Sequence, residues 1–264
     1  APAGPSGPTD ADWRTPDPEN VLVSDTSKGR IVVELAPAAA PQAAAQVRAL
    51  ARAGFYNGRA FFRVLDGFMD QTGDPKDDGT GQSDKPNLPP EFTFRRGADT
   101  PIVVVDKSGG SEWGYLGSLP VVSQTMDLAL LMADHKVSAY GAYCPGVLGM
   151  ARSDDPGSGN SQFFLMRGTT ASLNQNYTAF GATIAGLDVI RAIKTGAPGS
   201  GHVDDPQDKM LTVRVLADIP EAERPKVRVL DPRGPWFKVL VERARKEKLV
   251  GFSVCDIDLP GEAK

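Results

Sequence analysis

The run Phe61-Phe62-Arg63-Val64-Leu65-Asp66-Gly67-Phe68-Met69-Asp70-Gln71-Thr72-Gly73-Asp74 decides how the rest of the chain is read. Asp-Gly between alternating apolar segments is a strong hairpin signal. The spacing predicts strands over 61–65 and 68–72 with a turn at Asp66 and Gly67. Side chains alternate faces along a strand. Phe61, Arg63 and Leu65 therefore share one face, opposite Phe62 and Val64, and in the second strand Phe68 and Asp70 oppose Met69 and Gln71. An arginine inside an apolar strand has two readings. It is a surface residue of a half-exposed sheet, as long charged side chains usually are. Or it is held beside an apolar pocket to donate hydrogen bonds to a ligand.

Upstream, 21–25 and 30–35 run apolar or alternate around Ser27-Lys28-Gly29, which predicts a second hairpin. Pro41 opens an alanine-rich run closed by Gly54. This predicts a helix over 42–53 with Ala45, Val47, Leu50 and Ala51 inward. Downstream, 74–90 reads as a polar loop. Lys76 and Lys85 stand where a calcium loop needs ligands, and no Gly-Lys-Ser/Thr follows the glycines to cradle a phosphate. Strands are expected at 91–94 and 102–105, a turn at 108–111, and a helix over 126–136 with Met126, Leu130, Leu131 and Ala133 inward. Further strands are expected at 146–151, 161–166, 178–184 and 210–216, with a helix over 186–195 burying Leu187, Ile190 and Ile193. Many short strands with two helices predict an antiparallel barrel capped at its ends. Beyond Pro220 the composition changes. A strand at 226–230 and a helix over 235–248 are expected, the helix with Trp236, Val239, Leu240 and Ala244 as its apolar stripe.

The chain has 264 residues, 41% of them hydrophobic, which suits one large domain with additions or two small ones. Its net charge is -4, and it has neither a basic run for a nucleic acid nor an apolar run for a membrane span. Cys144 and Cys255 lack metal-ligand spacing and read as two buried thiols or as a disulfide. His135 and His202 have no partners for a zinc site, so no metal or other cofactor is expected. Residues 1–17 are rich in Pro, Gly and Ala and read as a disordered tail or linker. Their Ala-Pro-Ala start fits a removed export signal, and a chain trimmed at that point would look the same.

Taken together, Phe61-Phe62-Arg63, Gly67 to Asp74, Gly146-Val147-Leu148-Gly149-Met150-Ala151 and Ser161-Gln162-Phe163-Phe164 resemble the cyclophilins, which are peptidyl-prolyl cis-trans isomerases. The likeness covers residues 20–220 with one interruption. The alanine-rich helix and the Ala-Arg-Ser-Asp-Asp-Pro loop look like the family's bacterial branch. The resemblance implies a mainly β fold: a closed eight-stranded antiparallel barrel capped by two helices. Around it are expected a tail at 1–19, an insertion at 97–143 and a small C-terminal α/β extension at 221–264 packed on the domain.

The resemblance also implies roles. Arg63 matches the catalytic arginine. Phe68, Met69, Phe164 and Leu173 match the proline pocket, Gln71 and Gln162 its polar wall. Ala151 and Arg152 match the stretch whose backbone pairs with the substrate residue before proline. Tyr177 stands where many members carry a histidine, and its ring can still close the pocket. Ser172 stands where many carry a tryptophan, so weak cyclosporin-type inhibitor binding is expected. The implied partners are proline-containing peptides and unfolded or folding proteins. An exported, periplasmic location is expected, with a cytoplasmic one as the alternative. A proline-peptide binding or chaperone module with incidental turnover is the alternative function, since one fold serves both. A hydrolase has no support: no Gly-x-Ser-x-Gly occurs, and neither histidine lies in a triad context.

Overall fold

The hairpin forms between Arg63–Leu65 and Met69–Thr72, shorter than the alternation implies. Gly67 takes φ of 68°, where a side chain is disfavoured. Phe68 belongs to the turn and not to the strand, because its N–H returns to the Leu65 carbonyl at 3.0 Å.

The computed structural model describes residues 7–248, 251–257 and 259–264. In chain order the strands are β1 (Trp13–Arg14), β2 (Val21–Thr26), β3 (Gly29–Leu35), β4 (Arg63–Leu65), β5 (Met69–Thr72), β6 (Phe94–Arg96), β7 (Ile102–Ser108) and β8 (Ser111–Leu116). They continue as β9 (Leu119–Gln124), β10 (Val137–Gly141), β11 (Val147–Met150), β12 (Phe163–Met166), β13 (Ala179–Ala185), β14 (Met210–Val215), β15 (Val227–Leu230) and β16 (Gly261–Ala263). The helices are α1 (Pro41–Arg52), α2 (Leu187–Ala192) and α3 (Pro235–Glu247). None of the helices among the described residues is long and apolar enough to cross a membrane.

Eight strands pair antiparallel in the order β14-β2-β3-β13-β11-β12-β5-β4. The expected closed ladder is not continuous. Its two edges, β4 and β14, meet through irregular chain, with isolated bridges Ala60↔Lys209 and Arg63↔His202 and a hydrogen bond from Phe61 N–H to the Asp208 carbonyl (2.8 Å). Gly58 at φ 78° turns one side of this seam, and Pro206, without an N–H, cannot extend a ladder on the other.

Inside, Leu22, Ile31, Val33, Leu148 and Phe163 pack with both capping helices. α1 begins at Pro41, whose missing N–H is harmless in a first turn. The Glu91 carboxylate accepts from the Gln42 and Ala43 N–H groups (3.0 and 2.9 Å) and so caps the helix. Its buried face is Ala43, Ala44, Val47, Leu50 and Ala51. Ala45, expected inward, is exposed, because it lies two residues from Val47 on the opposite side of a 3.6-residue turn. Of the helix expected over 186–195 only α2 forms; Ile190 within it and Ile193 just beyond it are buried, while Leu187 is half-buried.

The strands are apolar on both faces because both are covered. Val21, Val23 and Val32 point away from the barrel core and pack against Ile219, Val227 and Val229. The 97–143 segment, with β6 just ahead of it, forms a second antiparallel sheet, β6-β10-β9-β8-β7. The helix expected over 126–136 does not form. A 3-10 turn, Met126–Leu131, leads into β10, and Leu130 and Leu131 are 83% and 79% exposed. A short helix needs a surface on which to bury a face, and of this turn only Ala129 is buried. The strand expected at 91–94 starts only at Phe94. Tyr115, Leu119 and Val121 of this sheet join Met69, Phe164 and Met166 of the barrel and Phe237 and Val241 of α3 in one core. The stripe of α3 is thus centred on Phe237, Val241 and Ala244, and not on the expected Trp236 and Val239.

Part of the expected tail is ordered structure. β1 pairs with β15, and β15 with β16. The Arg14 guanidinium donates to both Glu34 oxygens (2.9 and 2.6 Å) and to Ser118 Oγ (2.9 Å), joining the tail, β3 and the second sheet. A bidentate pair with so little exposure holds geometry as well as charge. The first six residues of the expected tail lie outside the described residues. Cys144 and Cys255 are bonded, with Cα atoms 4.9 Å apart and a sequence separation of 111.

Arg167, at the end of β12, ties the hairpin to α2. Its Nε donates to Asp70 Oδ1 (2.5 Å) and its Nη2 to the Ile190 and Ile193 carbonyls (3.0 and 2.6 Å). Burial pushes the Asp70 carboxyl up to about 7, outweighing the pull of Arg167.

Two outcomes follow for stability. Reducing the Cys144–Cys255 bond removes a cross-link across 111 residues and is expected to cost about 2–4 kcal/mol. Urea unfolding with and without a reductant measures this, and coincident midpoints would contradict it. For Asp70 the folded carboxyl binds its proton more tightly than the unfolded one, whose value is 3.8. Its contribution is therefore complete below about pH 4 and is lost as pH rises through about 7, at up to about 1.4 kcal/mol per pH unit. Asp70→Asn should flatten that slope. An unchanged pH profile of unfolding would show that Asp70 does not titrate there.

Candidate active site

The strand register sets the site. β4 places Arg63 opposite Gln71, β12 places Phe164 opposite Gln71, and β11 places Gly149 opposite Phe164. One row across four strands thus reads Arg63, Gln71, Phe164, Gly149. A Cβ at Gly149 would come within 2.2 Å of the Phe164 ring and 2.8 Å of the Tyr143 ring, so glycine makes room for both. The neighbouring row puts Leu65 opposite Met69 and Met69 opposite Met166.

Arg63 is held by its edges. Its Nε donates to the Ser200 carbonyl (3.0 Å) and its Nη1 to Gln71 Oε1 (3.2 Å). Gln71 Nε2 donates to Gln162 Oε1 (3.0 Å), and Gln162 Nε2 donates to the carbonyls of Gly81 (2.7 Å) and Gly79 (3.2 Å). A guanidinium is only a donor, so it fixes which way each amide in this chain faces. Nη2 has no hydrogen bond among the described residues.

Arg63, Phe68, Met69, Gln71, Ala151, Arg152, Phe164, Leu173 and Tyr177 line one cavity of about 170 Å³. These are the site residues expected from the sequence, except Gln162. Gln162 lines an adjoining polar cavity of about 310 Å³, which shares Gln71, Ala151 and Arg152 with the first. The Ala151 N–H donates to the Gln162 carbonyl (3.0 Å). The Ala151 carbonyl and the Arg152 N–H have no partner among the described residues and form an open backbone edge along the cavity.

The aromatic wall is layered. Phe164 meets Tyr177 edge-on at 5.9 Å and stacks on Tyr143 at 5.8 Å. Tyr143 is fully buried, and burial pushes its phenol upward. Its N–H donates to Asn174 Oδ1 (2.9 Å), and its carbonyl accepts from the Thr170 N–H (3.0 Å), so it also holds the turn that carries Leu173. Ser172 sits on that turn, exposed.

Sequence reasoning missed contributors of three kinds. Tyr143 was read as the end of the interruption, although an aromatic just before Cys144-Pro145 was a visible signal. The Ser200 carbonyl and the Gly79 and Gly81 carbonyls are backbone groups, which no side-chain pattern marks. Phe92, whose ring lies 5.5 Å from the Arg152 guanidinium, was read only as part of a strand.

Comparison with known proteins agrees with this geometry. Residues 21–215 match the family model described as cyclophilin type peptidyl-prolyl cis-trans isomerase/CLD. A probable peptidyl-prolyl cis-trans isomerase of Brucella suis is 34% identical over 214 residues, covering 76% of this chain and 85% of that protein. The crystal structure of the cyclophilin AquaCyp293 from Hirschia baltica superposes with a TM-score of 0.85 at 32% identity, over 95% of this chain and 93% of that one. A cyclophilin type isomerase of Cryptosporidium parvum, solved in the presence of the dipeptide Ala-Pro, shares the fold. Its TM-score is 0.51 at 19% identity, over 74% of this chain and 98% of that one. The hairpin with its arginine, the cavity beneath it and these relatives lead to one assignment: the chain belongs to the cyclophilin-type peptidyl-prolyl cis-trans isomerases.

Proposed function

We propose that X-Pro bonds are twisted in the 170 Å³ cavity, with Arg63 as the catalytic residue. The observation that carries this reading is a guanidinium fixed through Nε and Nη1 while Nη2 is left unpaired beside an aromatic and aliphatic cavity. Rotation about a peptide bond is opposed by about 18–20 kcal/mol, because the nitrogen lone pair is delocalised into the carbonyl. In the twisted state that pair localises on the prolyl nitrogen, which becomes a hydrogen-bond acceptor. A preorganised donor aimed there binds the twisted state better than the planar one and lowers the barrier.

Phe68, Met69, Phe164 and Leu173 would hold the proline ring, and Tyr177 would close the cavity over it. Gln71 and Gln162 would keep Arg63 aimed. The open edge at Ala151 and Arg152 would pair with the backbone of the residue before proline. Nothing in this scheme needs a nucleophile, a general base or a metal. A million-fold acceleration would ask about 8 kcal/mol of the arrangement.

The substrates on this reading are proline-containing peptides and folding proteins. We read residues 20–220 as the isomerase domain, carrying the 97–143 insertion and the 221–264 extension. The Cys144–Cys255 bond supports an exported protein in an oxidising compartment, periplasmic in a bacterium. Finding both thiols reduced in protein taken from its native cells would count against that location.

Arg63→Ala is expected to lower isomerisation roughly a hundred- to thousand-fold, the cost of losing a preorganised donor. Affinity for the ground-state peptide should change far less, because the interaction belongs mainly to the transition state. Lysine should not restore the rate, since one rotating ammonium cannot reproduce a planar fork. Near-normal turnover in a folded Arg63→Ala protein would overturn the mechanism. A second expectation concerns inhibitors. Ser172 offers neither ring nor indole N–H, so Ser172→Trp should tighten cyclosporin-type binding by about 2 kcal/mol, the scale of a hot-spot contact. Titration calorimetry of the two proteins decides it, and equal affinities would show that this position is not the cause.

A further inference from the structure

Arg152 has a side chain that the backbone edge at this position does not require. Its Nε donates to the Asn176 carbonyl (3.1 Å) and its Nη1 to the Ser153 carbonyl (2.8 Å). The guanidinium carbon lies 4.5 Å from the centroid of the Tyr177 ring and 5.5 Å from that of Phe92. The cation therefore grips the segment 176–177 twice, once through a carbonyl and once through the ring that follows it. The platform around it is fixed from other directions. The Glu91 N–H donates to Thr178 Oγ1 (3.0 Å), while the Glu91 carboxylate is anchored on the first turn of α1.

Tyr177 is less constrained by itself. Its N–H reaches the Leu173 carbonyl at 3.2 Å, and its half-exposed ring has Phe164 edge-on at 5.9 Å and the Arg152 cation at 4.5 Å. That same ring lines the 170 Å³ cavity. A planar guanidinium can stack on a ring and hydrogen-bond in its own plane at once, which an ammonium cannot.

We infer that Arg152 is a positioning residue: its guanidinium holds the Tyr177 ring in place as a wall of the proline cavity and so sets how tightly proline is gripped. It acts through Tyr177 and does not touch the reacting bond. The inference rests on the reading of that cavity as the proline site. A competing role is open to the same cation, direct attraction of an acidic substrate side chain, because Arg152 also lines the adjoining polar cavity.

A double-mutant cycle on the full chain separates the two. KM and kcat are measured for Arg152→Ala, Arg152→Met, Arg152→Lys, Tyr177→Ala and Arg152→Ala combined with Tyr177→Ala. The peptides carry Ala, Glu or Lys beside the Ala-Pro unit. We expect Arg152→Ala and Arg152→Met to raise KM roughly three- to ten-fold on all three peptides, the range of a half-exposed cation–π contact, with kcat falling less. Arg152→Lys should recover only part of the loss. In the Tyr177→Ala background, removing Arg152 should change KM by less than about two-fold, since coupled residues are not additive. An additive cycle would overturn the inference, and so would a KM effect confined to the Glu peptide or a fall in kcat alone. Thermal melts identify a variant that has lost its fold, and Arg152→Met keeps the aliphatic stem if alanine does not fold. Arg63→Ala in the same series keeps the two readings apart. If it is inactive while the cycle is additive, only the role of Arg152 falls. If it retains turnover, the mechanism falls whatever the cycle shows.

Discussion

The register of the β4–β5 hairpin is the constraint on which the site depends. It sets Arg63 across from Gln71, and the next pairing sets Gln71 across from Phe164. In a sheet a slip of one residue sends every side chain to the opposite face. Here a slip would bury Arg63 and Gln71 in the barrel and turn Val64 and Asp70 outward. Val64 is instead buried in the barrel core, and Asp70 is locked to Arg167. The apolar contacts inside and the Arg167–Asp70 hydrogen bond therefore enforce the same register that aligns the site.

Once aligned, the polar half of the site is rigid for an electrostatic reason. The guanidinium has only donors, so each amide in the row must turn its oxygen toward the previous donor. The chain ends on backbone carbonyls, of Ser200 on one side and of Gly79 and Gly81 on the other. Both lie in loops, and both loops are held by their own bonds: Ala197 N–H to the His202 carbonyl (2.8 Å), and Gly79 N–H to Asp74 Oδ2 (2.5 Å). Arg63 is thus oriented by segments far from it in sequence.

The apolar half depends on what covers the barrel from outside. Phe164 is wedged between Tyr177 at the cavity and Tyr143 behind it. Tyr143 lies just beyond β10, the last strand of the second sheet in chain order, and is followed directly by Cys144, which is bonded to the C-terminal segment. Tail, insertion and extension converge on this outer face, through Arg14 on Glu34 and through the shared cluster around Phe237. The outer layer is continuous with the wall of the cavity beside Arg63.

Local pattern by itself determined much of this protein. The hairpins, the Pro41-initiated helix and most strands follow from alternation, turn residues and caps, and the motifs around Arg63, Ala151 and Gln162 carry the family. These signals lie within a few neighbouring residues, so they survive without a fold. Tertiary structure decided the rest. Met126 to Leu131 have the composition of a helix, yet they form a short turn that buries only Ala129 and leaves Leu130 and Leu131 in solvent. Trp13 and Arg14 sit in a sequence that reads as a linker, yet they form a strand, because β15 and Glu34 offer partners more than 200 and 20 residues away. The Ser200 anchor was equally beyond reach, and of the Tyr143 backing only an aromatic beside Cys144-Pro145 was visible. A contact between distant segments, or through a backbone carbonyl, leaves no periodicity in the sequence. It exists only when the folded chain brings its two halves together.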